Sequence, residues 1–163
     1  MTDEELRAYN SKRQVKQLGI VVSDLDEAVK AWTEVYRVGP WSYLHFTNEN
    51  IDNQVCDGKS VKEKFSYRIA ASFIGDLQIE LVEANETVPI YQEFLERTGG
   101  GIHHFKEKIA DENMQEELER FRAIGSETMF GGNFYNLSFY YPDTQKNLGI
   151  QIELGNCEKL KKE

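Results

Sequence analysis

Cysteine is nearly missing from this chain, and the two present, Cys56 and Cys157, have no CxxC spacing. That excludes a disulfide framework and a zinc knuckle, and leaves two ordinary thiols of a reducing compartment. Positive charge is also short: 19 Lys and Arg stand against 28 Asp and Glu, a net charge of −9. Long-range attraction to a phosphate backbone is therefore absent, and nucleic acid is not expected as a partner. No window approaches the roughly 18 uninterrupted apolar residues a membrane span needs. The opening stretch MTDEELRAYNSKRQ has no apolar h-region, so no secretory signal is expected and the cytoplasm is the default location. What is there is a chain of 163 residues, 40% apolar and 12% aromatic, which suits one globular domain able to bury a core without staples.

Residues 1–14 read as an extension with a turn or two of surface helix. From Val15 to Val22, Leu18, Ile20 and Val22 alternate with Gln17, Gly19 and Val21, the period of a half-buried strand. Ser23 or Asp24 can cap a helix in which Leu25, Ala28, Val29, Trp32 and Val35 share a face, up to the break at Gly39-Pro40. Trp41–Phe46 reads as a strand and Thr47–Lys62 as a long polar loop, a candidate lid or wall. Lys64–Ile74 alternates, Gly75-Asp76 forms a hairpin turn, and Leu77–Glu83 returns. A short helix over Pro89–Arg97 ends at the glycines 99–101. The plan then repeats: strand Ile102–Ile109, helix Asp111–Ile124, and three strands over Thr128–Gly131, Phe134–Tyr141 and Leu148–Leu154, divided by Gly132-Asn133 and Pro142-Asp143. The tail GNCEKLKKE is charged.

The repetition gives the polar strand residues their meaning. In QLGIVV, LQIELV and GIQIEL the apolar residues take one face, and Gln17, Glu80 and Glu153 take the other. Alone, each would read as a solvated strand residue. Placed together on the concave side of one sheet, facing carboxylates repel and are costly to desolvate, so the cup holds either solvent or a cation. Gln17 in the first strand of one half answers the His103-His104 pair in the first strand of the other, and Glu80 answers Glu153. The wider spacing in the first half matches the extra Thr47–Lys62 loop. In the strand 102–109, Ile102 and Lys106 share a face with His104, so the pattern there is weak.

Over about residues 15–155, carried by QLGIVVSDLDEAVKAW, GDLQIELVEA, IYQEFLERTGGGIHHF and YYPDTQKNLGIQIEL, the chain resembles the vicinal oxygen chelate superfamily. That group holds glyoxalase I, methylmalonyl-CoA epimerase, bleomycin-resistance proteins and extradiol dioxygenases, and FLERTGGGIHH is most similar to the epimerase and glyoxalase-like branch. The resemblance implies an α+β fold: paired βαβββ modules in a cupped mixed sheet, module one over 15–84, a linker helix segment over 85–101, module two over 102–155, and a tail over 156–163. It implies one divalent metal ion held by Gln17, Glu80, His104 and Glu153, with His103 in packing or support, and a homodimer. Two carboxylates, an amide and an imidazole suit Zn, Ni, Co, Mn or Fe rather than calcium, and a dioxygenase's usual triad of two His and one carboxylate is not matched. Gln17 stands where His is common, and Glu80 where epimerases have Gln. At the place of the epimerase base this chain has Tyr67, Arg68 and Ile69, with Glu63 the nearest carboxylate.

The expected function is that of a glyoxalase I-like lyase or isomerase acting by proton transfer beside a metal-polarised carbonyl, with Glu153, and in second place Glu80, as base. The alternatives are an acyl-CoA epimerase and a non-catalytic binding or resistance protein. The substrate is a small molecule, a hemithioacetal or an acyl-CoA thioester. Trp41, Tyr43, Phe65, Tyr67, Phe73, Phe139 and Tyr141 would line an apolar ligand site or pack the core.

Overall fold

The computed structural model describes residues 1–56, 59–60 and 64–160. Glu63 lies outside the described residues. In chain order the elements are α1 (Asp3–Asn10), β1 (Val15–Val22), α2 (Leu25–Tyr36), β2 (Ser42–Thr47), β3 (Asp52–Cys56), β4 (Lys59–Ser60), β5 (Ser66–Ile74), β6 (Leu77–Glu83), α3 (Pro89–Thr98), β7 (Gly101–Lys108), α4 (Asp111–Ala123), β8 (Thr128–Phe134), β9 (Leu137–Pro142), α5 (Gln145–Leu148) and β10 (Gln151–Gly155). The strands join in one mixed sheet of order β2-β5-β6-β1-β7-β10-β9-β8-β3-β4. This is the α+β arrangement of two βαβββ units, with β1 and β7 antiparallel at its centre.

Local chemistry sets the helices. Thr2 and Glu5 form a reciprocal capping box on α1, and Asp24 accepts from the Glu27 amide at 2.9 Å to start α2. One apolar cluster packs Leu25 and Trp32 of α2 over Ile20, Ala70, Ile79 and Leu81. Another packs Met114 and Phe121 of α4 over Ile152 and Leu154. These two helices thus cover the apolar sheet face read from the alternation. α3 lies elsewhere: its Tyr91 joins Phe46, Tyr67, Phe130, Phe139 and Tyr141 in an aromatic cluster. Among the described residues no helix is long and apolar enough to cross a membrane.

Three expectations need correction. The Thr47–Lys62 stretch is not simply a loop, because it carries β3, which pairs antiparallel with β8 of the other half, and the short β4. Gly132-Asn133 is not a turn. β8 continues through it to Phe134, and the reversal falls at Tyr135, whose φ is 52°. A side chain on Gly132 would overlap Ile51 and the Asp52 carbonyl, so this glycine serves a close approach of strands. Finally, Leu148 ends the short helix α5, and Gly149, at φ 73°, turns the chain into β10. Polar spacing alone could not separate that helical turn from a strand start.

Candidate metal centre

Strand register builds the site. β1 and β6 are parallel with Gln17 beside Gln78 and Gly19 beside Glu80. β1 and β7 are antiparallel with Gly19 beside His104, and β7 and β10 are parallel with Lys106 beside Glu153. Four neighbouring strands therefore bring Gln17, Glu80, His104 and Glu153 together; Gln17, Glu80 and Glu153 line a cavity of about 730 Å³, and His104 is fully buried beside them. Ligand-capable atoms of Glu80, His104 and Glu153 lie within 4.8 Å of one another. His104 Nε2 stands 3.0 Å from Glu153 Oε2 and 3.4 Å from Glu80 Oε2.

Gln17 completes the set from β1. Its Nε2 donates to Gln78 Oε1 at 2.6 Å and to Glu80 Oε1 at 3.2 Å. Its Oε1 is buried with no hydrogen-bond partner among the described residues. A buried carbonyl oxygen left unpaired costs on the order of 1–3 kcal/mol, and a cation beside it would remove that cost. Two carboxylates and an imidazole within 4.8 Å of one another, with an unpartnered buried amide oxygen on the Gln17 that bonds Glu80, form a donor set that fits a divalent metal.

His104 fits because Gly19 faces it. A Cβ at Gly19 would sit inside the imidazole. The register slips between Gly19 and Ile20, leaving His103 as the extra residue of a bulge in β7. That irregularity is why the alternation there is weak, and it brings His103 Nδ1 to 3.0 Å from His104 Nδ1. Burial, with the charge of His104 as the second cause, lowers the His103 pKa to about 3, so His103 stays neutral and can accept from His104 Nδ1–H. Such a contact leaves Nε2 as the ligating nitrogen. His103 otherwise packs edge-to-face on Phe94 and Tyr91.

Charge in the cup is more balanced than the sequence suggested, because Lys106 is in it. Its Nζ lies 2.9 Å from Glu153 Oε1, and the Tyr141 hydroxyl donates to Glu153 Oε2 at 3.0 Å. Burial opposes ionisation of Glu153, but Lys106 and His104 outweigh it and hold the carboxyl at about 2. Burial likewise opposes charge on His104, and Glu153 and Glu80 overcome it to raise its pKa to about 9. Burial pushes the Tyr67, Tyr91 and Tyr141 phenols well up, so all three remain donors. Tyr91 donates to Tyr141 at 3.1 Å. Lys106 was not among the expected site residues, although its period-two spacing from His104 was an available signal. Tyr141 was expected only as an aromatic that would line a ligand site or pack the core, and its hydrogen bond to Glu153 had no sequence signal.

Above this floor Leu44, Phe46, Ile69, Phe134 and Phe139 give the cavity an apolar wall, and Lys16, Asp76, Lys108, Glu158 and Lys159 also line it. Phe46 stacks on Tyr67 at a centroid separation of 4.9 Å. Of the aromatics named from sequence, Phe65, Tyr67, Phe139 and Tyr141 are buried, whereas Tyr43 and Phe73 are exposed. Arg68 points away and pairs with Glu83 at 2.8 Å. β5 presents no carboxylate to the cavity.

The profile of the Glyoxalase/Bleomycin resistance protein/Dioxygenase superfamily matches residues 16–141. None of the curated proteins compared matches the chain. Among solved structures, a methylmalonyl-CoA epimerase from Streptomyces coelicolor in complex with 2-nitronate-propionyl-CoA is similar with a TM-score of 0.66 at 17% identity, covering 92% of this chain and 98% of that one. A methylmalonyl-CoA epimerase in complex with methylmalonyl-CoA gives 0.63 at 18%, covering 87% and 92%. A hypothetical protein from Bacillus halodurans gives 0.62 at 15%, covering 93% and 99%. At these identities the likeness is one of fold. Fold, strand pairing and the profile match together identify the chain as a member of the Glyoxalase/Bleomycin resistance protein/Dioxygenase superfamily, the vicinal oxygen chelate group.

Proposed function

We propose that this protein is a divalent-metal-dependent lyase or isomerase of the glyoxalase I kind, which moves a proton on a carbon next to a carbonyl. The observation that carries the reading is the convergence of Glu80, His104 and Glu153 beneath an apolar cavity, with the orphaned Gln17 oxygen beside them. Gln17, Glu80, His104 and Glu153 would hold the ion, one of Zn, Ni, Co, Mn or Fe. Bound there, it would polarise a substrate carbonyl and stabilise negative charge on its oxygen.

The two carboxylates divide the remaining work. Glu153 has three close partners, Lys106, His104 and Tyr141, and a low pKa, so it is a poor base and a good anchor. Glu80 has only the longer contacts to Gln17 and His104 and faces the cavity. Displaced from its place in the ligand set as substrate arrives, Glu80 would take the proton from the carbon acid and return it to the neighbouring carbon, reversing the order of preference expected from the family resemblance. Phe46, Phe134 and Phe139 keep water away from the exchanging proton.

Metal content measured on protein purified without chelator, followed by solvent-deuterium uptake into the hemithioacetal of methylglyoxal and glutathione, tests this. We expect one ion per chain, and in Glu80→Gln a metal-replete protein with exchange slowed by about 10²-fold or more. Metal-free wild type, or full exchange in Glu80→Gln, defeats the reading. The epimerase-like structures support a second substrate class, acyl-CoA thioesters, with the same proton abstraction. Racemisation of a 2-methyl-3-oxo thioester in place of hemithioacetal turnover would select it. A homodimer belongs to the same proposal, and sedimentation reads it.

A further inference from the structure

Lys106 is a buried cation that metal binding does not require. It is 8% exposed and lines the cavity floor. Its Nζ carries three N–H donors, and its one ion-pair partner among the described residues is Glu153 Oε1. The chain makes room for it at a second glycine. A Cβ on Gly155 would run into Lys106 Cε and Nζ, just as one on Gly19 would run into His104. One strand glycine thus admits the imidazole and another admits the ammonium.

The charge count gives this placement a purpose. Glu80 and Glu153 contribute −2, which a divalent ion cancels. Lys106 then leaves the floor of a low-dielectric cup at +1, a state that burial penalises until an anion joins it. Glu153 offers Oε2 to the ligand cluster while Oε1 stays with Lys106, so the ammonium keeps its place beside the ion and its remaining N–H groups stay available to a ligand.

Resting on the metal reading above, we propose that Lys106 is a specificity residue that holds a carboxylate of the ligand, so that this site binds carbonyl compounds bearing a carboxylate close to the carbonyl more tightly than their uncharged counterparts. The contact is an ammonium–carboxylate hydrogen bond in a site shielded from water. Neutral carbonyl compounds of the same size leave the surplus charge unanswered.

Two hydroxamates that share a metal-binding head test this by calorimetry on zinc-loaded protein: acetohydroxamate, and malonomonohydroxamate, which adds a carboxylate. Zinc retention after dialysis is measured first on each variant. In wild type we expect the carboxylated probe to bind tighter by about tenfold or more. The preference, taken as the ratio of the two affinities within each variant, should persist in Lys106→Arg and vanish in Lys106→Met. Should Lys106→Met not fold, Lys106→Gln takes its place. Zinc-loaded wild type that binds both probes equally, or a Met or Gln variant that keeps the preference, overturns this proposal alone. Wild type that retains no zinc overturns the metal reading and this proposal with it.

Discussion

Each site residue owes its state to a neighbour. His104 is forced into the cluster by the absence of a side chain at Gly19, and is kept protonated in the metal-free protein by Glu153 and Glu80. The proton sits where a metal would sit. With a pKa of about 9 in the metal-free protein, one proton must leave for each ion bound, and zinc affinity should fall about tenfold for each unit of pH below that value. Chelator competition between pH 6.5 and 8.5 reads the slope, and an affinity flat across that range counts against His104 as ligand. Metal-free stability runs the same way. The folded pKa lies above the ordinary 6.5, so the contribution is complete below about 6.5 and is lost as pH rises through about 9. The thermal midpoint of metal-free wild type should fall over that interval, and that of His104→Gln should not follow it. Glu153, lowered from the ordinary 4.5 to about 2, keeps its contribution above about 4.5 and loses it as pH falls from there through about 2, well below this window.

Among the elements, β1 and β6 were legible in the sequence, and the facing of β7 and the existence of β3 were not. β1 and β6 show strict alternation because one face meets α2 and the other lines the cup. β7 does not, because the bulge at His103 breaks its period. β3 escaped detection for another reason: Asp52–Cys56 is polar and short, and it is a strand only because β8 offers it an edge. That pairing depends on Gly132. We expect Gly132→Val to force β3 away from β8 and to destabilise the fold by about 1–3 kcal/mol, read as a lower urea midpoint. A midpoint unchanged within error would mean that β3 contributes nothing to stability.

In the whole molecule, the site belongs to neither half. Gln17 and Glu80 come from β1 and β6, and His104 and Glu153 from β7 and β10; the β1–β7 pairing joins the two sets. A bound ion would therefore crosslink the halves. At a free zinc concentration about a hundredfold above its dissociation constant, linkage adds about 2.7 kcal/mol. For a domain of this size that corresponds to a rise in thermal midpoint of roughly 5–11 °C. Glu153→Gln should lose most of the rise. A midpoint indifferent to zinc at that concentration is the contrary result.

The sequence by itself determined the strand–helix–strand order, the duplication, and the face on which Gln17, Glu80 and Glu153 stand, because side-chain alternation and helical spacing are properties of a chain segment and its one buried face. It could not choose between His103 and His104, since a bulge abolishes the alternation that would separate them. Nor could it weigh Lys106 against the carboxylates, find the edge that makes Asp52–Cys56 a strand, or tell which acid is anchored and which is free. Those were decided by the tertiary structure, because each depends on distances of a few ångströms between strands far apart in the chain: Gly19 under His104, Gly155 under Lys106, and Lys106 against Glu153.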